Sequence, residues 1–233
     1  MKVLLINSLY PPNVVGGAEI SVQSIAESLA KKGIKTVVAT LSQFRDGRRN
    51  CRGVTIYEVR LRNVYWPFNH RKNEIYRMLW HTTDAYNPFM ARQILRIIRQ
   101  EQPDIIHTNN LAGFSVSIWR LANKLKIPLL HTIRDYYLLC HLSTMFRNGN
   151  NCNKQCLRCR LFSCPKKCIS YAPTAVSGIS QYILDRHRAA GFFPGVNDFH
   201  VIPNGYGGIK NKPQKPPADE LRLGYLGRIP RDK

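Results

Sequence analysis

Acidic residues are scarce in this chain. Only 14 Asp and Glu stand against 35 Lys and Arg among 233 residues, which gives a formal net charge of +21 and a pI near 10.1. This imbalance excludes an ordinary neutral surface. It indicates a polyanionic partner, which can be a nucleic acid, an acidic membrane or a phosphorylated ligand.

Long apolar runs are also absent. The longest uncharged stretch, residues 105–119, contains one His and two Asn, and it is too short to cross a hydrocarbon core of about 30 Å. The apolar run at residues 3–6 is too brief for the h-region of a secretory signal. We therefore expect a cytoplasmic chain whose seven cysteines are reduced or metal-bound rather than paired in a disulfide framework.

The apolar content that is present suffices for a folded core. Apolar residues make up 44% and aromatic residues 10% of the chain, which excludes a disordered protein. Residues 3–6 read as a strand, and the glycine pair Gly16-Gly17 precedes an amphipathic helix that ends at Gly33. A second apolar run at 36–40 completes a βαβ unit. The glycines lack the Gly-x-Gly-x-x-Gly spacing, so a dinucleotide site is not indicated.

The same alternation of strand and helix recurs along the chain. Further strands are predicted at 104–107, 129–133, 174–176 and 199–202, separated by helical patterns. Continuous apolar strands that alternate with amphipathic helices are typical of a parallel sheet covered on both faces. The predicted fold class is therefore α/β, a Rossmann-like doubly wound parallel sheet.

A change in composition near the C-terminus predicts a domain boundary. Residues 206–218 are rich in Pro, Gly and Lys and read as a linker. We assign 1–205 to one Rossmann-like domain with a Cys-rich insertion at about 140–170. Residues 219–233 read as the first strand of a second, truncated domain, and the alternative is a last edge strand with a tail.

Several short motifs together resemble retaining glycosyltransferases of GT-B architecture, in the large fourth family. They follow the family's order over essentially the whole chain: Tyr10-Pro11-Pro12, Gly16-Gly17-Ala18-Glu19, 103–107, Ala175-Val176-Ser177, 201–205, and Leu226-Gly227-Arg228 with Lys233. The resemblance implies two domains around a cleft, the N-terminal one holding the acceptor and the C-terminal one holding a nucleotide-sugar donor. It also implies that no catalytic metal is needed.

The resemblance assigns roles to individual residues. Arg228 and Lys233 match the pair that neutralises the donor diphosphate, and the family's paired glutamates would follow Lys233, so we expect this chain alone to be inactive. The positions on the acceptor side of the cleft are Gly16, Gly17, Glu19, His107, Asn109, Ser177 and Asn204. Each also has a plainer interpretation, such as a flexible turn, a hydrogen-bonded structural histidine or a helix N-cap.

Arg134 and Asp135 are the catalytic candidates. They follow a predicted strand at its C-terminal end, where α/β sheets place functional groups. The family often has His-Asp at this position. Arg stays charged and cannot act as a base, so Arg134 is expected to bind a phosphate or polarise a sugar oxygen while Asp135 orients the acceptor hydroxyl. The alternative is a buried Arg–Asp ion pair.

The cysteine cluster is the most distinctive local feature. Its members are Cys152, Cys156, Cys159, Cys164 and Cys168, with Cys140-His141 upstream. Four thiolates can hold Zn²⁺ tetrahedrally and order a loop that has little apolar content, so we expect a structural zinc site. Free thiols and disulfides stay open. The first three spacings also match the iron–sulfur motif of radical enzymes that use S-adenosylmethionine, but those enzymes carry it early in a barrel.

Basic residues fall in two clusters that favour a membrane surface. Arg45, Arg48, Arg49 and Arg52 share one predicted loop, and Arg92, Arg96 and Arg99 form one stripe of a helix. Residues 65–68 and 192–194 offer aromatic groups nearby. Anionic lipid attracts Lys and Arg, and aromatic side chains suit the interface. We expect peripheral docking at the inner face of the membrane, the alternative being a solvated basic face with core aromatics.

The combined prediction is the acceptor-side part of a retaining glycosyltransferase that acts on a lipid-linked or polysaccharide acceptor. The first rival is a basic nucleic-acid-binding module with a zinc-stabilised loop. The sequence shows no ribonucleoprotein box, no Cys₂His₂ finger and no helix-turn-helix pattern, so we expect no nucleic-acid partner. The second rival is a non-catalytic sugar-binding relative, because Arg134 departs from the family pattern.

Overall fold

A computed structural model describes residues 1–68 and 72–205. The ten strands are β1 (Lys2–Ile6), β2 (Lys35–Ser42), β3 (Gly47–Cys51), β4 (Val54–Arg60), β5 (Ile105–Thr108), β6 (Leu129–Ile133), β7 (Phe146–Arg147), β8 (Asn150–Asn151), β9 (Ala175–Gly178) and β10 (Asp198–Val201). The six helices are α1 (Gly17–Lys31), α2 (Glu74–Ala85), α3 (Pro88–Glu101), α4 (Ser117–Lys124), α5 (Leu157–Ile169) and α6 (Gln181–Ala189).

Eight strands form one sheet in the order β10-β9-β6-β5-β1-β2-β4-β3, and β7 and β8 form a separate small hairpin. All neighbours in the large sheet run parallel except β3, which is antiparallel to β4. The strand order reverses between β1 and β5, so the crevice beyond their carboxyl ends is a topological switch point. The predicted α/β, doubly wound parallel fold is confirmed.

Two apolar cores flank the sheet. On one face, Val3 and Leu5 of β1 pack against Val22 and Ala26 of α1. On the other face a larger core contains Trp119 of α4 together with α3 and the alternate residues of β1 and β5. Strands buried on both faces are the reason why the predicted strands read as continuous apolar runs.

The arginine cluster around residues 45–52 is a hairpin rather than a loop. Arg48 and Arg49 belong to β3, and Gly53 makes the turn to β4 with a positive φ of 78°. Arg49 Nε lies 3.0 Å from Glu58 Oε1, and Arg52 lies 3.2 Å from a carboxylate oxygen of Glu27. These carboxylates neutralise part of the positive charge that the sequence assigned to a membrane surface.

The Cys-rich insertion contains the β7–β8 hairpin and the helix α5, where the sequence predicted a loop. The residues that α5 buries are Cys159, Ser163 and Lys166, so its inner face is polar. The Lys166 ammonium donates to the carbonyl of Tyr137 at 2.8 Å and lies 3.4 Å from the centre of that residue's ring. This helix is held by specific polar contacts rather than by an apolar stripe.

Three further expectations need correction or lie outside the described residues. Ser180, not Ser177, caps α6, since its hydroxyl accepts from the N–H of Ile183 at 3.4 Å. Phe192 and Phe193 are buried in the core and offer nothing to a membrane. The predicted linker at 206–218, the strand at 219–233 and the diphosphate pair Arg228 and Lys233 lie outside the described residues.

No described helix is long and apolar enough to span a bilayer.

Candidate functional site

The residues that the sequence singled out converge on one edge of the sheet. The Gly16-Gly17 loop follows β1, Asn109 follows β5, Arg134 follows β6 and Asn204 follows β10. Because these strands are parallel, all four segments leave the sheet at its C-terminal edge. The candidate site therefore spans the topological switch point.

Arg134 is the centre of this edge. Its Nε donates to Asn109 Oδ1 at 2.9 Å, and its Nη1 donates to Asn204 Oδ1. Burial lowers the pKa of Arg134 from its ordinary value, yet guanidinium stays charged at neutral pH. Among the described residues no carboxylate forms an ion pair with it. The two amides leave further N–H groups of the guanidinium free to bind an anion.

Asn109 contributes an additional donor at the same place. Its side chain is buried, its Oδ1 is engaged by Arg134, and its Nδ2 has no hydrogen-bond partner among the described residues. A buried unpaired donor costs about 1–3 kcal/mol. This Nδ2 is enclosed by its neighbours, so the contribution of Asn109 to the site is the hydrogen bond that orients Arg134.

Asp135 lies beside Arg134 but does not pair with it. Its Oδ1 accepts from the backbone N–H of Tyr137 at 2.8 Å, which closes a tight turn. Burial raises the pKa of Asp135 to about 6, and the negative charge of Glu19 adds to that rise. The buried Arg–Asp ion pair that the sequence allowed is therefore not formed in the described residues.

His107 and Ser177 belong to a buried polar row on the face of the sheet that α1 covers. His107 Nε2 lies 2.7 Å from Thr132 Oγ1, which lies 2.7 Å from Ser177 Oγ. Burial lowers the pKa of His107 to about 4, and the positive charge of Arg134 contributes to the decrease. His107 is thus neutral near pH 7 and hydrogen-bonded within the sheet. Thr132, which links the row, was missed by sequence reasoning because a single Thr in a strand carries no signal.

The Gly16-Gly17 loop opens α1. Glu19 Oε2 accepts from the backbone N–H of Gly16 at 2.8 Å, which caps the helix. A Cβ on Gly17 would meet no atom within 4 Å, and its φ is not positive. Neither backbone conformation nor packing therefore requires glycine at this position, and the open space in front of the helix N-terminus is available to a ligand.

Two cavities adjoin the edge. A groove of about 380 Å³ runs between α1 and the sheet and is lined by His107, Thr132, Arg134, Ser177 and Asn204 among others. A larger cavity of about 610 Å³ lies beyond the carboxyl ends of β4, β5 and β6. Aromatic and basic side chains line it: Tyr65, Phe68, Trp80, His81, Arg77 and Arg147. No pattern in the sequence predicted this second cavity, because its lining comes from four separate segments.

The cysteines are distributed differently from the prediction. Cys159 lies beside Cys140 and His141, and the three ligand atoms are all within 4.8 Å of one another. Cys164 and Cys168 are exposed and Cys152 is half-buried, and none of these three belongs to the cluster. Cys159 lies on the buried face of α5, whereas Cys164 and Cys168 lie on its exposed surface.

Comparisons with known proteins agree with the fold. A 42.6 kDa protein in the cps region of Klebsiella pneumoniae, described as uncharacterized, is 36% identical over 239 residues that cover 100% of this chain and 62% of that protein. An uncharacterized glycosyltransferase of Methanocaldococcus jannaschii is 28% identical over 113 residues, 47% of this chain and 25% of that protein. The chain thus spans less than two thirds of the length of these relatives.

Solved structures support the same fold at low sequence identity. Sucrose-phosphate synthase of Thermosynechococcus elongatus superposes with a TM-score of 0.54 at 15% identity, covering 89% of this chain and 91% of that chain. The catalytic domain of starch synthase IV of Arabidopsis thaliana gives 0.52 at 12% identity, covering 88% and 51%. These similarities concern the fold alone, and that fold is the Rossmann-like fold of GT-B enzymes. The model of Glycosyltransferase Family 4 matches residues 15–206, and the chain therefore belongs to that family.

Proposed function

We propose that this chain forms the acceptor-side part of an enzyme that transfers a sugar from a nucleotide-diphosphate sugar to a hydroxyl, with retention of configuration. The observation that carries the proposal is Arg134, a half-buried cation without a carboxylate partner among the described residues, at the switch point of the sheet. A planar guanidinium that keeps free N–H groups suits phosphate and sugar oxygens.

Arg134 and Asn109 have different roles at this edge of the sheet. Negative charge develops on the departing nucleoside diphosphate, and fixed donors aimed at that charge lower the barrier. The Arg134 guanidinium supplies the positive charge, and Asn109 orients it by accepting from its Nε at 2.9 Å. Arg134 does not act as a base, because it stays protonated. Asp135 orients the acceptor hydroxyl, and Arg228 and Lys233 complete the diphosphate site as the family resemblance implies.

The larger cavity is the proposed acceptor site. Aromatic rings such as Tyr65 and Trp80 offer flat apolar faces for sugar rings, and Arg77 and Arg147 offer charge to an acceptor phosphate. Its volume of about 610 Å³ is in the range of small-ligand sites. An acceptor that carries both sugar and phosphate, such as a lipid-linked glycan, matches this lining.

An exposed face beside that cavity fits an anionic bilayer. Ile75 and Leu79 of α2 and Leu157 and Leu161 of α5 are one turn apart on their helices and exposed by 71%, 51%, 74% and 65%. The ion pair between Glu74 and Arg158 joins the two helices. The neighbouring exposed charges on α5, Arg160 and Lys167, are positive. Apolar side chains that insert and cations that contact headgroups are the two components of peripheral docking.

The setting we propose is the cytoplasmic face of a membrane, where the enzyme would extend a lipid-linked or polysaccharide acceptor. The relative in a cps region supports a role in polysaccharide assembly. The basic α3 stripe of Arg92, Arg96 and Arg99 is exposed and adds to the attraction for anionic lipid.

The reaction is tested by incubating the full-length protein with a panel of nucleotide-diphosphate sugars and lipid-linked acceptors. We expect transfer from one class of donor, with the anomeric configuration of the donor retained in the product, as read by NMR. An inverted product would contradict the retaining mechanism. Absence of transfer from every donor, together with salt-sensitive nanomolar binding of RNA or DNA, would support the nucleic-acid rival instead.

Membrane docking is tested by flotation with phosphatidylcholine vesicles that contain or lack phosphatidylglycerol. The double variant Ile75→Asp/Leu157→Asp should bind anionic vesicles at least about tenfold more weakly, because two large apolar side chains no longer insert. Tyr182→Asp, at an exposed aromatic of α6, is the matched control and should bind like the wild type. Equal binding of all three proteins would exclude the α2–α5 face as the docking surface.

A further inference from the structure

The cluster formed by Cys140, His141 and Cys159 has the dimensions of a metal site. Its three ligand atoms lie within 4.8 Å of one another, and His141 Nδ1 is 3.3 Å from Cys159 Sγ. In a tetrahedral zinc site with Zn–S near 2.3 Å and Zn–N near 2.0 Å, ligand atoms are separated by about 3.5–3.8 Å. A small contraction around an ion would bring this cluster to those distances.

Cys156 is the candidate for the fourth ligand, and it lies just outside the three-residue cluster. It is the N-cap residue of α5, three positions before Cys159. The pair forms a C-x₂-C unit at the start of a helix, a spacing common in structural zinc sites. Together with Cys140-His141 from the loop after β6, it makes a set of three sulfurs and one imidazole nitrogen.

The insertion buries few apolar side chains, and Met145 is the largest of them. Its helix α5 buries Cys159, Ser163 and Lys166, while Leu157 and Leu161 are exposed. A segment that buries so little apolar surface is commonly ordered by a disulfide or a metal. All seven cysteines are unpaired in the structure.

We propose that Cys140, His141, Cys156 and Cys159 bind one structural Zn²⁺, which fastens the loop after β6 to the start of α5. This assignment keeps Cys156 and Cys159 from the sequence prediction and replaces Cys152, Cys164 and Cys168 by Cys140 and His141. Thiolate and imidazole ligands in a tetrahedral set favour zinc over Mg²⁺ or Ca²⁺, which prefer oxygen. The iron–sulfur alternative uses Cys152, Cys156 and Cys159, and it leaves Cys140 and His141 of the observed cluster without a role.

The site has a consequence for the neighbouring cavity. His141 lines the 610 Å³ cavity together with Leu142, Ser143 and Thr144. A metal bound to Cys140 and His141 fixes the course of this loop and hence one wall of the cavity. The zinc is structural and takes no part in sugar transfer, so its presence is tested separately from the proposed function.

Metal content is measured by inductively coupled plasma mass spectrometry on protein purified without a chelator and without an affinity tag that binds metal. We expect about one zinc per chain. Cys140→Ser and Cys159→Ser should reduce it to below a tenth of that, because loss of even an outer partner of a zinc ligand weakens binding about 10–100-fold. Cys164→Ser, at an exposed cysteine of the same helix, is the matched control and should retain full zinc.

Substitution by Co²⁺ gives a second readout that does not depend on variants folding. A site with three thiolates should show intense absorption from sulfur-to-cobalt charge transfer and visible bands of tetrahedral cobalt. Cys156→Ser changes an exposed residue and should weaken these bands without unfolding the chain. Wild-type protein without zinc that gives no tetrahedral cobalt spectrum would overturn the proposal. Two other results would overturn it as well. One is bound iron with the absorption spectrum of an iron–sulfur cluster, and the other is a disulfide bond at Cys159 found by mass spectrometry.

Discussion

The central sheet and the Cys-rich insertion are stabilised in opposite ways. The sheet buries continuous apolar strands between α1 on one face and α3 and α4 on the other. The insertion contains a helix whose inner face is Cys159, Ser163 and Lys166. The sheet therefore resists unfolding through the hydrophobic effect, whereas the insertion depends on a few directional contacts. The comparison indicates that the scaffold and the cavity wall can lose their structure independently.

Removal of the proposed zinc should produce the largest difference between the sheet and the insertion. Incubation with a strong chelator should abolish hydrogen-exchange protection over 140–160, since metal binding and local folding are coupled. The amides of β1 and β2 should keep their protection. If protection is lost evenly over the chain, or if it is unchanged in the insertion, the two regions are not independent.

A truncation in the sheet tests the other half of the comparison. Ile106 is fully buried in β5, so Ile106→Ala should lower the free energy of unfolding by about 2–5 kcal/mol. Leu161→Ala, at an exposed side chain of α5, should change it by less than about 0.5 kcal/mol. Chemical denaturation of both variants measures these values. A loss in Leu161→Ala that approaches that of Ile106→Ala would mean that α5 packs on an apolar partner.

Acid should lower the free energy of unfolding through His187, a buried histidine of α6. Burial lowers the pKa of His187 to about 4, from an ordinary value near 6.5. The unfolded chain takes up this proton below about pH 6.5 and the folded chain only near pH 4, so stability falls as the pH drops through this window, by about 3 kcal/mol. His107 and His131 act in the same direction, because burial also lowers their pKa values. Asp84 and Asp135 oppose the trend, because burial raises the pKa of each to about 6.

Variants separate the histidine from these carboxyl groups. His187→Phe removes the titrating ring from its site beside Phe192 and should reduce the loss of stability between pH 6.5 and pH 4. His200→Gln, at an exposed histidine of β10, should leave the wild-type dependence intact. Chemical denaturation at several pH values gives the comparison. An unchanged slope in His187→Phe would show that His187 does not carry the effect.

A small effect on stability is also expected at Gly17. A methyl group there meets no atom within 4 Å, so Gly17→Ala should change the free energy of unfolding by less than about 1 kcal/mol. If the loop approaches a ligand closely, the same variant of the full-length protein should lower transfer at least about tenfold. If the variant keeps both its activity and its stability, the glycine pair is an ordinary turn that does not contact a ligand.

The sheet was predictable because a strand that is buried on both faces appears in the sequence as a continuous apolar run. The runs at 3–6, 129–133 and 199–202 correspond closely to β1, β6 and β10. In the β3–β4 hairpin, β3 shows no apolar alternation, because it is an Arg-rich edge strand and Arg49 pairs with Glu58. α5 was missed for the related reason that its buried face is polar.

The candidate site was predictable in position and less so in detail. Parallel strands bring their carboxyl ends to one edge, which is why Asn109, Arg134 and Asn204 could be grouped from their places in the chain. The hydrogen bonds that hold Arg134 depend on how the loops pack. The approach of Cys140 and His141 to Cys159 of α5 depends on loop packing in the same way. Such contacts between distant segments have no periodic signal in a single sequence.

The most direct test of the central claim is the kcat/KM for sugar transfer of the full-length Arg134→Ala variant against that of Arg120→Ala. Arg120 is an exposed cation of α4, so it controls for loss of one positive charge. We predict that Arg134→Ala lowers kcat/KM by at least about 100-fold while Arg120→Ala stays near the wild type. Equal activity of the two variants would contradict the assignment of the sheet's C-terminal edge as the site of transfer.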